Sequence, residues 1–217
     1  KFITAEIGTH VDLYLEEDTQ EIVKQNNNLK LSFKSGSELS CKMVLAATGR
    51  LPLTKDLGLE TVAVQLADNG AIKVDENFQT AQPSIYAVGD VIDRIALTPV
   101  ALAEGQIVAR ALFSNDKKAM NYQNIATTVF CHPNIGTVGL SEHQALEASL
   151  EIDVYESVFR PLKHTLSDRN EKSMIKMIVD RQSDRVVGLH IVAADAGEIV
   201  QGLSVAINCG ATKADFD

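Results

Sequence analysis

The stretch Thr80-Ala81-Gln82-Pro83-Ser84-Ile85-Tyr86-Ala87-Val88-Gly89-Asp90, followed at a short interval by Leu97-Thr98-Pro99, carries the most information about the fold. The apolar run 85–88 predicts a strand cut off by Gly89-Asp90, and the carboxyl end of a strand is where open α/β sheets place ligand contacts. Thr98 predicts an N-cap, because its hydroxyl can accept an orphan helix N–H. Pro99 is tolerated in a first turn, and apolar residues at 100, 101, 107, 108, 111 and 112 share one helix face. Taken alone, Gly89-Asp90 also reads as an ordinary strand, turn and capped helix.

Chemically, an Asp90 carboxylate at a strand end can accept hydrogen bonds from a polyhydroxyl chain, and Gly89 permits close approach of a ligand to the backbone. The tip of the following helix directs N–H groups and positive dipole toward negative charge. A reduced flavin, anionic at its N1/O2 edge, has both features.

Toward the amino end, residues 11–16, 21–24, 29–33 and 39–46 read as strands of a short meander, joined by Gln25-Asn26-Asn27-Asn28 and Lys34-Ser35-Gly36-Ser37. The apolar run 43–47 predicts a strand buried on both faces and ending at Thr48-Gly49-Arg50. Ala67-Asp68-Asn69-Gly70 predicts a turn before a short strand at 71–74. Toward the carboxyl end, 113–124 reads as a polar linker. Strands are predicted at 126–130, 137–140 and 152–159, with a turn at 133–136. Ser141 with Gln144 predicts a capping box. Residues 174–179 and 186–192 predict an antiparallel hairpin, and Asp195 with Glu198 a capped helix with apolar positions 199, 203, 206 and 207, stopped at Gly210. The expected fold class is α/β plus α+β, with the carboxyl half an α+β module carrying an antiparallel sheet.

The 217 residues are 45% hydrophobic and 23% charged, a globular composition that excludes extensive disorder. No apolar stretch approaches the roughly 18 residues of a membrane span, so no membrane association is expected. A formal charge of −9 opposes nucleic acid as a partner. Cys41, Cys131 and Cys209 are three in number and widely spaced, which predicts neither a disulfide framework nor a zinc site and points to a reducing, cytoplasmic compartment.

Residues 80–90 with Leu97-Thr98-Pro99 resemble the carboxyl-terminal FAD motif of the pyridine nucleotide-disulfide reductases. Ala47-Thr48-Gly49-Arg50-Leu51-Pro52 resembles the motif that ends the same family's nucleotide domain, although Leu53 stands where Asn is common. Val129-Phe130-Cys131-His132-Pro133 and Ile135-Gly136-Thr137-Val138-Gly139-Leu140 resemble the opening of its dimerisation domain. The stretch 210–217 resembles the approach to its catalytic histidine. Within the family, 97–101 resembles the glutathione and trypanothione reductases more than dihydrolipoyl dehydrogenase, and 159–167 and 194–202 are most similar to glutathione reductases of bacterial and plant type, with trypanothione, mercuric and dihydrolipoamide reductases as alternatives.

The resemblance implies FAD and NADPH as cofactors, glutathione disulfide as substrate and a homodimer. It implies flavin contacts at Gly89, Asp90, Ala96, Leu97, Thr98, Pro99 and Phe130, and nucleotide contacts at Gly49 and Arg50. Residues 1–52 correspond to the end of an NAD(P)H-binding domain, 53–118 to part of an FAD-binding domain, and 119–217 to the dimerisation domain. Phe130, Val138, Leu140 and the helix 195–209 are expected at the interface. Gln106 stands where some relatives hold an Arg, so it offers a substrate carboxylate no ion pair. The family's GxGxxG loops, redox cysteine pair and His–Glu pair do not occur in the sequence, so catalytic residues are expected outside the chain, which reads as a piece lacking both ends. A piece of this kind can also act only as an association module, without flavin.

The remaining candidates have plainer readings. Adjacent Cys131 and His132 point to opposite strand faces, and His143, His164 and His190 lack ligand spacing. Asp93-Arg94 reads as a surface pair, and Glu198 and Gln201 as capping or interface groups.

Overall fold

Residues 173–193 place apolar side chains on both faces of two strands around a polar turn, a pattern that needs a cover on each side. In the computed structural model, which describes residues 2–114 and 118–217, this stretch is the centre of the larger sheet. The chain divides into two units, residues 19–121 and residues 1–18 with 122–217. Among the described residues, no helix is long and apolar enough to cross a membrane.

In the second of these units α1 (Phe2–Gly8) precedes an exposed stretch, and an antiparallel five-stranded sheet follows. Numbering strands along the whole chain, its order is β4 (Thr127–Val129), β5 (Asn134–Gly139), β8 (Val186–Ala193), β7 (Ser173–Asp180) and β6 (Ile152–Phe159). The hairpin β7–β8 forms as the sequence predicts, with Ile175 opposite Ile191 and Met177 opposite Leu189. α4 (Ala196–Asn208) covers one face, and Val138, Val179, Val186, Leu189, Ile191, Ala196, Val200 and Ile207 make the core. Glycine makes this packing close: a Cβ on Gly136 would lie 2.5 Å from the Ala196 carbonyl oxygen.

α3 (Glu142–Glu147) starts with the expected capping box, Ser141 Oγ accepting the Gln144 N–H. A second box, unforeseen in the sequence, joins Thr212 and Asp215 at α5 (Lys213–Phe216). Hydrogen bonds from the Thr212 N–H and hydroxyl hold the Asp215 carboxyl below the usual carboxylate range.

The other unit holds the expected meander, β1 (Thr19–Gln25), β2 (Asn28–Phe33) and β3 (Glu38–Cys41), all antiparallel. Its core gathers Ile72, Phe78, Ala87 and Ile92, with Ile107 and Val108 of α2 (Thr98–Phe113) packed against them.

Several expectations are corrected. Residues 11–16 are not a strand, because Glu16 turns the chain with φ 65. The run 43–47 is not a strand either: β3 stops at Cys41, and Met43 and Leu45 are 83% and 90% exposed. An extended run without a ladder partner must give its backbone groups to water. Residues 71–74 and 85–88 form isolated bridges, Leu66 with Ile72 and Gln79 with Tyr86, rather than strands.

The turn expected at 133–136 lies earlier, since β5 already begins at Asn134 after a cis His132–Pro133 bond. Thr98 is not the N-cap of α2; Leu97 holds that position, without a side-chain hydrogen bond. Asp195 likewise caps α4 without a side-chain hydrogen bond, and its carboxylate lies 3.9 Å from Lys163 Nζ. The buried stripe of α4 is Ala196, Val200, Ser204 and Ile207, leaving Ile199 42% exposed, because small residues let the helix sit close to the sheet. Val138 is buried in this same core at 1% exposure and cannot face a partner. Part of the expected linker, 115–117, lies outside the described residues; α2 itself runs to Phe113.

Candidate functional site

The segment 85–88 reaches its turn through two backbone bonds, Thr80 N–H to Ile85 O and Ala87 N–H to Phe78 O. The 3-10 turn Gly89–Ile92 follows, with Gly89 buried at φ 75 and Asp90 exposed. Gly89 is required here twice over. Its φ is left-handed, and a Cβ would lie 3.0 Å from the Ala101 Cβ of α2.

That close approach brings α2 against the turn. Asp90 and the exposed Thr98 and Pro99 at the helix start therefore belong to one packed element pair, with Leu97 half-buried and Ala96 exposed between them. In the first turn the Leu97 carbonyl accepts the N–H of both Val100 and Ala101, and Pro99 has no N–H to give. The dipole of α2 is directed outward at Thr98.

Sequence reasoning missed one group, Glu104. It is 1% exposed, and its Oε2 accepts the Gly89 N–H at 2.6 Å. The signal was present in the sequence: a carboxylate on the apolar stripe of α2 between Val100 and Ile107.

The turn is braced from its other side. Ile72 donates its N–H to the Val91 carbonyl, and the Asn69 amide donates to Asp93 Oδ2 at 2.5 Å. Arg94 lies over the Phe78 ring at 5.2 Å and donates to the Asp75 carbonyl. Asp93 and Arg94 thus face separate partners, which corrects the surface pair read from the sequence. Gly49 and Arg50 lie on the exposed stretch after β3; Gly49 has φ 104, and a Cβ there would meet nothing within 4 Å.

In the sheet unit, Phe130 is 85% exposed on the loop after β4. Cys131 Sγ lies 3.1 Å from the Pro133 carbonyl, while the largely exposed His132 side chain has its Nε2 4.0 Å from Glu171 Oε2. His164 is buried, its Nε2 has no hydrogen-bond partner, and Glu171 Oε2 lies 3.8 Å away. Arg160 holds this loop by donating to the carbonyls of His164, Ser167 and Arg169. His143 pairs with Glu147 at 3.3 Å. His190 donates from Nε2 to the Leu140 carbonyl at 3.0 Å, and burial chiefly, with Lys176 adding, holds its pKa below the ordinary histidine value. Among the described residues, no group of three or more His, Cys, Asp or Glu side chains is placed to hold a metal ion.

Two family descriptions match the chain. The pyridine nucleotide-disulphide oxidoreductase model matches residues 3–105, and the pyridine nucleotide-disulphide oxidoreductase dimerisation domain matches residues 125–217. The chain belongs to the pyridine nucleotide-disulphide oxidoreductases.

Among curated proteins it is 48% identical over 207 residues to glutathione reductase of Burkholderia cepacia, covering 95% of this chain and 46% of that one. It is 46% identical to the chloroplastic/mitochondrial glutathione reductase of Pisum sativum, covering 95% and 38%, and 37% identical to trypanothione reductase of Trypanosoma congolense, covering 97% and 43%. The chain spans about half the length of the curated relatives it matches or less. A solved structure, the HOCl-induced flavoprotein disulfide reductase RclA from Escherichia coli, shares the fold with a TM-score of 0.87 at 24% identity, over 98% of this chain and 49% of that one.

Proposed function

We propose that this chain serves an FAD-dependent disulfide reductase that oxidises NADPH and reduces glutathione disulfide, acting as a homodimer in the cytoplasm. The observation that carries the reading is the pairing of an exposed carboxylate, Asp90, with the exposed tip of α2 at Thr98, on two elements pinned together through Gly89. The donor set fits a flavin: Asp90 can accept from ribityl hydroxyls, and Thr98 can offer its hydroxyl and the helix dipole to the negative N1/O2 edge. Ala96, Leu97 and Pro99, beside Thr98 at the same helix start, would line the approach to that tip.

Gly49 has an open approach to its backbone, which suits a nicotinamide nucleotide, with Arg50 beside it to meet phosphate charge. Bound FAD would supply the two-electron exchange between nicotinamide and disulfide. The chain's own residues bind and orient. On this reading 1–52 ends the nucleotide domain, 53–118 contributes to the flavin domain and 119–217 is the dimerisation domain.

Glutathione as substrate is supported by relatives bearing that name at 48% and 46% identity, against 37% for the trypanothione enzyme. Dimerisation is supported by the matching family description over 125–217, and a reducing compartment by the free thiols of Cys41, Cys131 and Cys209. The test is the complete protein as its gene encodes it, scanned for flavin absorbance and assayed for NADPH oxidation with glutathione disulfide, trypanothione disulfide and lipoamide. Yellow protein that turns over glutathione disulfide in preference is expected. Colourless protein, or turnover of lipoamide without glutathione disulfide, rejects the assignment.

A further inference from the structure

A carboxylate is costly to bury unless hydrogen bonds replace its water. Glu104, in the second turn of α2, is 1% exposed on the stripe that packs inward, where a leucine would supply apolar contact alone. What the carboxylate supplies is an acceptor. Its Oε2 takes the Gly89 N–H at 2.6 Å, a bond that links positions fifteen residues apart in the chain.

Ala101, three residues before Glu104 and therefore on the same helix face, meets the same glycine, whose Cβ position lies 3.0 Å from the Ala101 Cβ. The contact at Ala101 sets how near the turn lies to the helix, and the bond to Glu104 sets how the Val88–Gly89 peptide is rotated. Asp90 is the next residue along the chain.

We propose that Glu104 is a positioning residue for the flavin: its buried carboxylate locks the Gly89–Asp90 turn to α2, so that the Asp90 side chain and the Thr98 helix tip keep one fixed relation. The inference rests on the flavin reading above. Glu104, at 1% exposure, would act through the turn it holds rather than on the ligand directly.

The test compares three forms of the complete protein, wild type, Glu104→Gln and Glu104→Met, with FAD as the probe. The glutamine keeps a weaker, neutral acceptor; the methionine keeps the volume and removes the acceptor. FAD dissociation constants and the visible circular dichroism of bound flavin are measured on protein shown to be folded by its far-ultraviolet spectrum. FAD affinity is expected to fall about threefold in Glu104→Gln and about tenfold or more in Glu104→Met, with graded change in the visible spectrum.

A role confined to packing would lower the melting temperature and leave both flavin readouts at wild-type values. Should Glu104→Met not fold, Glu104→Gln decides: wild-type affinity and spectrum in that variant overturn the proposal. Wild-type protein that takes up no FAD sinks the flavin reading itself, and that outcome is read before any variant is made.

Discussion

Two apolar runs of similar composition meet opposite fates in this chain. Residues 186–192, in β8, are paired on both sides, and Leu189 and Ile191 are each 1% exposed. Residues 43–47 are paired on neither side, and Leu45 is 90% exposed. The difference lies in reachable partners. β8 follows β7 after a short polar turn, and β5 returns to its other edge, so both ladders close within the unit. The run after β3 has a meander behind it and a proline-bearing loop ahead. Hydrophobicity sets what a segment can lose by exposure; strand pairing decides whether it is buried.

The widest gap between the two regions is expected on truncating one leucine in each. Leu189→Ala removes a side chain from the middle of the larger core and should cost about 3–4 kcal/mol. Leu45→Ala should change stability by less than about 0.5 kcal/mol. Equilibrium urea unfolding of the 217-residue chain reads both, and equal costs would break the comparison.

A somewhat smaller effect is expected where the sheet meets its helix. Gly136→Ala places a methyl 2.5 Å from the Ala196 carbonyl oxygen and 2.8 Å from Val200 Cγ1, so α4 must move. The expected cost is about 2–3 kcal/mol, with weakened hydrogen-exchange protection along β8. Unchanged protection would mean that the helix seat is looser than the sheet and that burial in this unit depends on strand pairing alone.

The same contrast explains how much could be read in advance. The β7–β8 hairpin, the meander and the Ser141 capping box were legible because each depends on residues close in sequence. The run 43–47 was misread because an apolar pattern states a need for neighbours without saying whether any are available. The inward face of α4 was rotated because Ala196 and Ser204, weakly apolar in a sequence pattern, become decisive when Gly136 draws the helix close. At the candidate site, Gly89, Asp90 and Thr98 were visible as turn and cap chemistry. Thr98 nonetheless falls inside the helix it was expected to cap, and Glu104 went unnoticed because periodicity reasoning treats a charge on an apolar stripe as an interruption.

The smallest expected effect sharpens the comparison through pH. His190 is the one polar side chain in the middle of β8, with Leu189 and Ile191 on either side. The Leu140 carbonyl can only accept, so the imidazole nitrogen facing it must carry a proton, and the neutral Nε2–H tautomer suffices. Charging the ring would add a cation to a partly desolvated site near Lys176, and burial with that charge holds its pKa below the ordinary value. An unfolded histidine titrates near 6.5. Between the depressed folded pKa and that value the unfolded chain binds more protons, so stability is fully present above about pH 6.5 and is lost as pH falls through the folded pKa. In His190→Gln the amide can still donate to Leu140 but does not titrate. The stability advantage of wild type over this variant should therefore shrink from pH 8 to pH 5, the carboxylates common to both cancelling in the difference. An advantage that stayed level or grew toward acid would show that the central strand tolerates a charged ring, and that its burial is less complete than its leucine and isoleucine neighbours indicate.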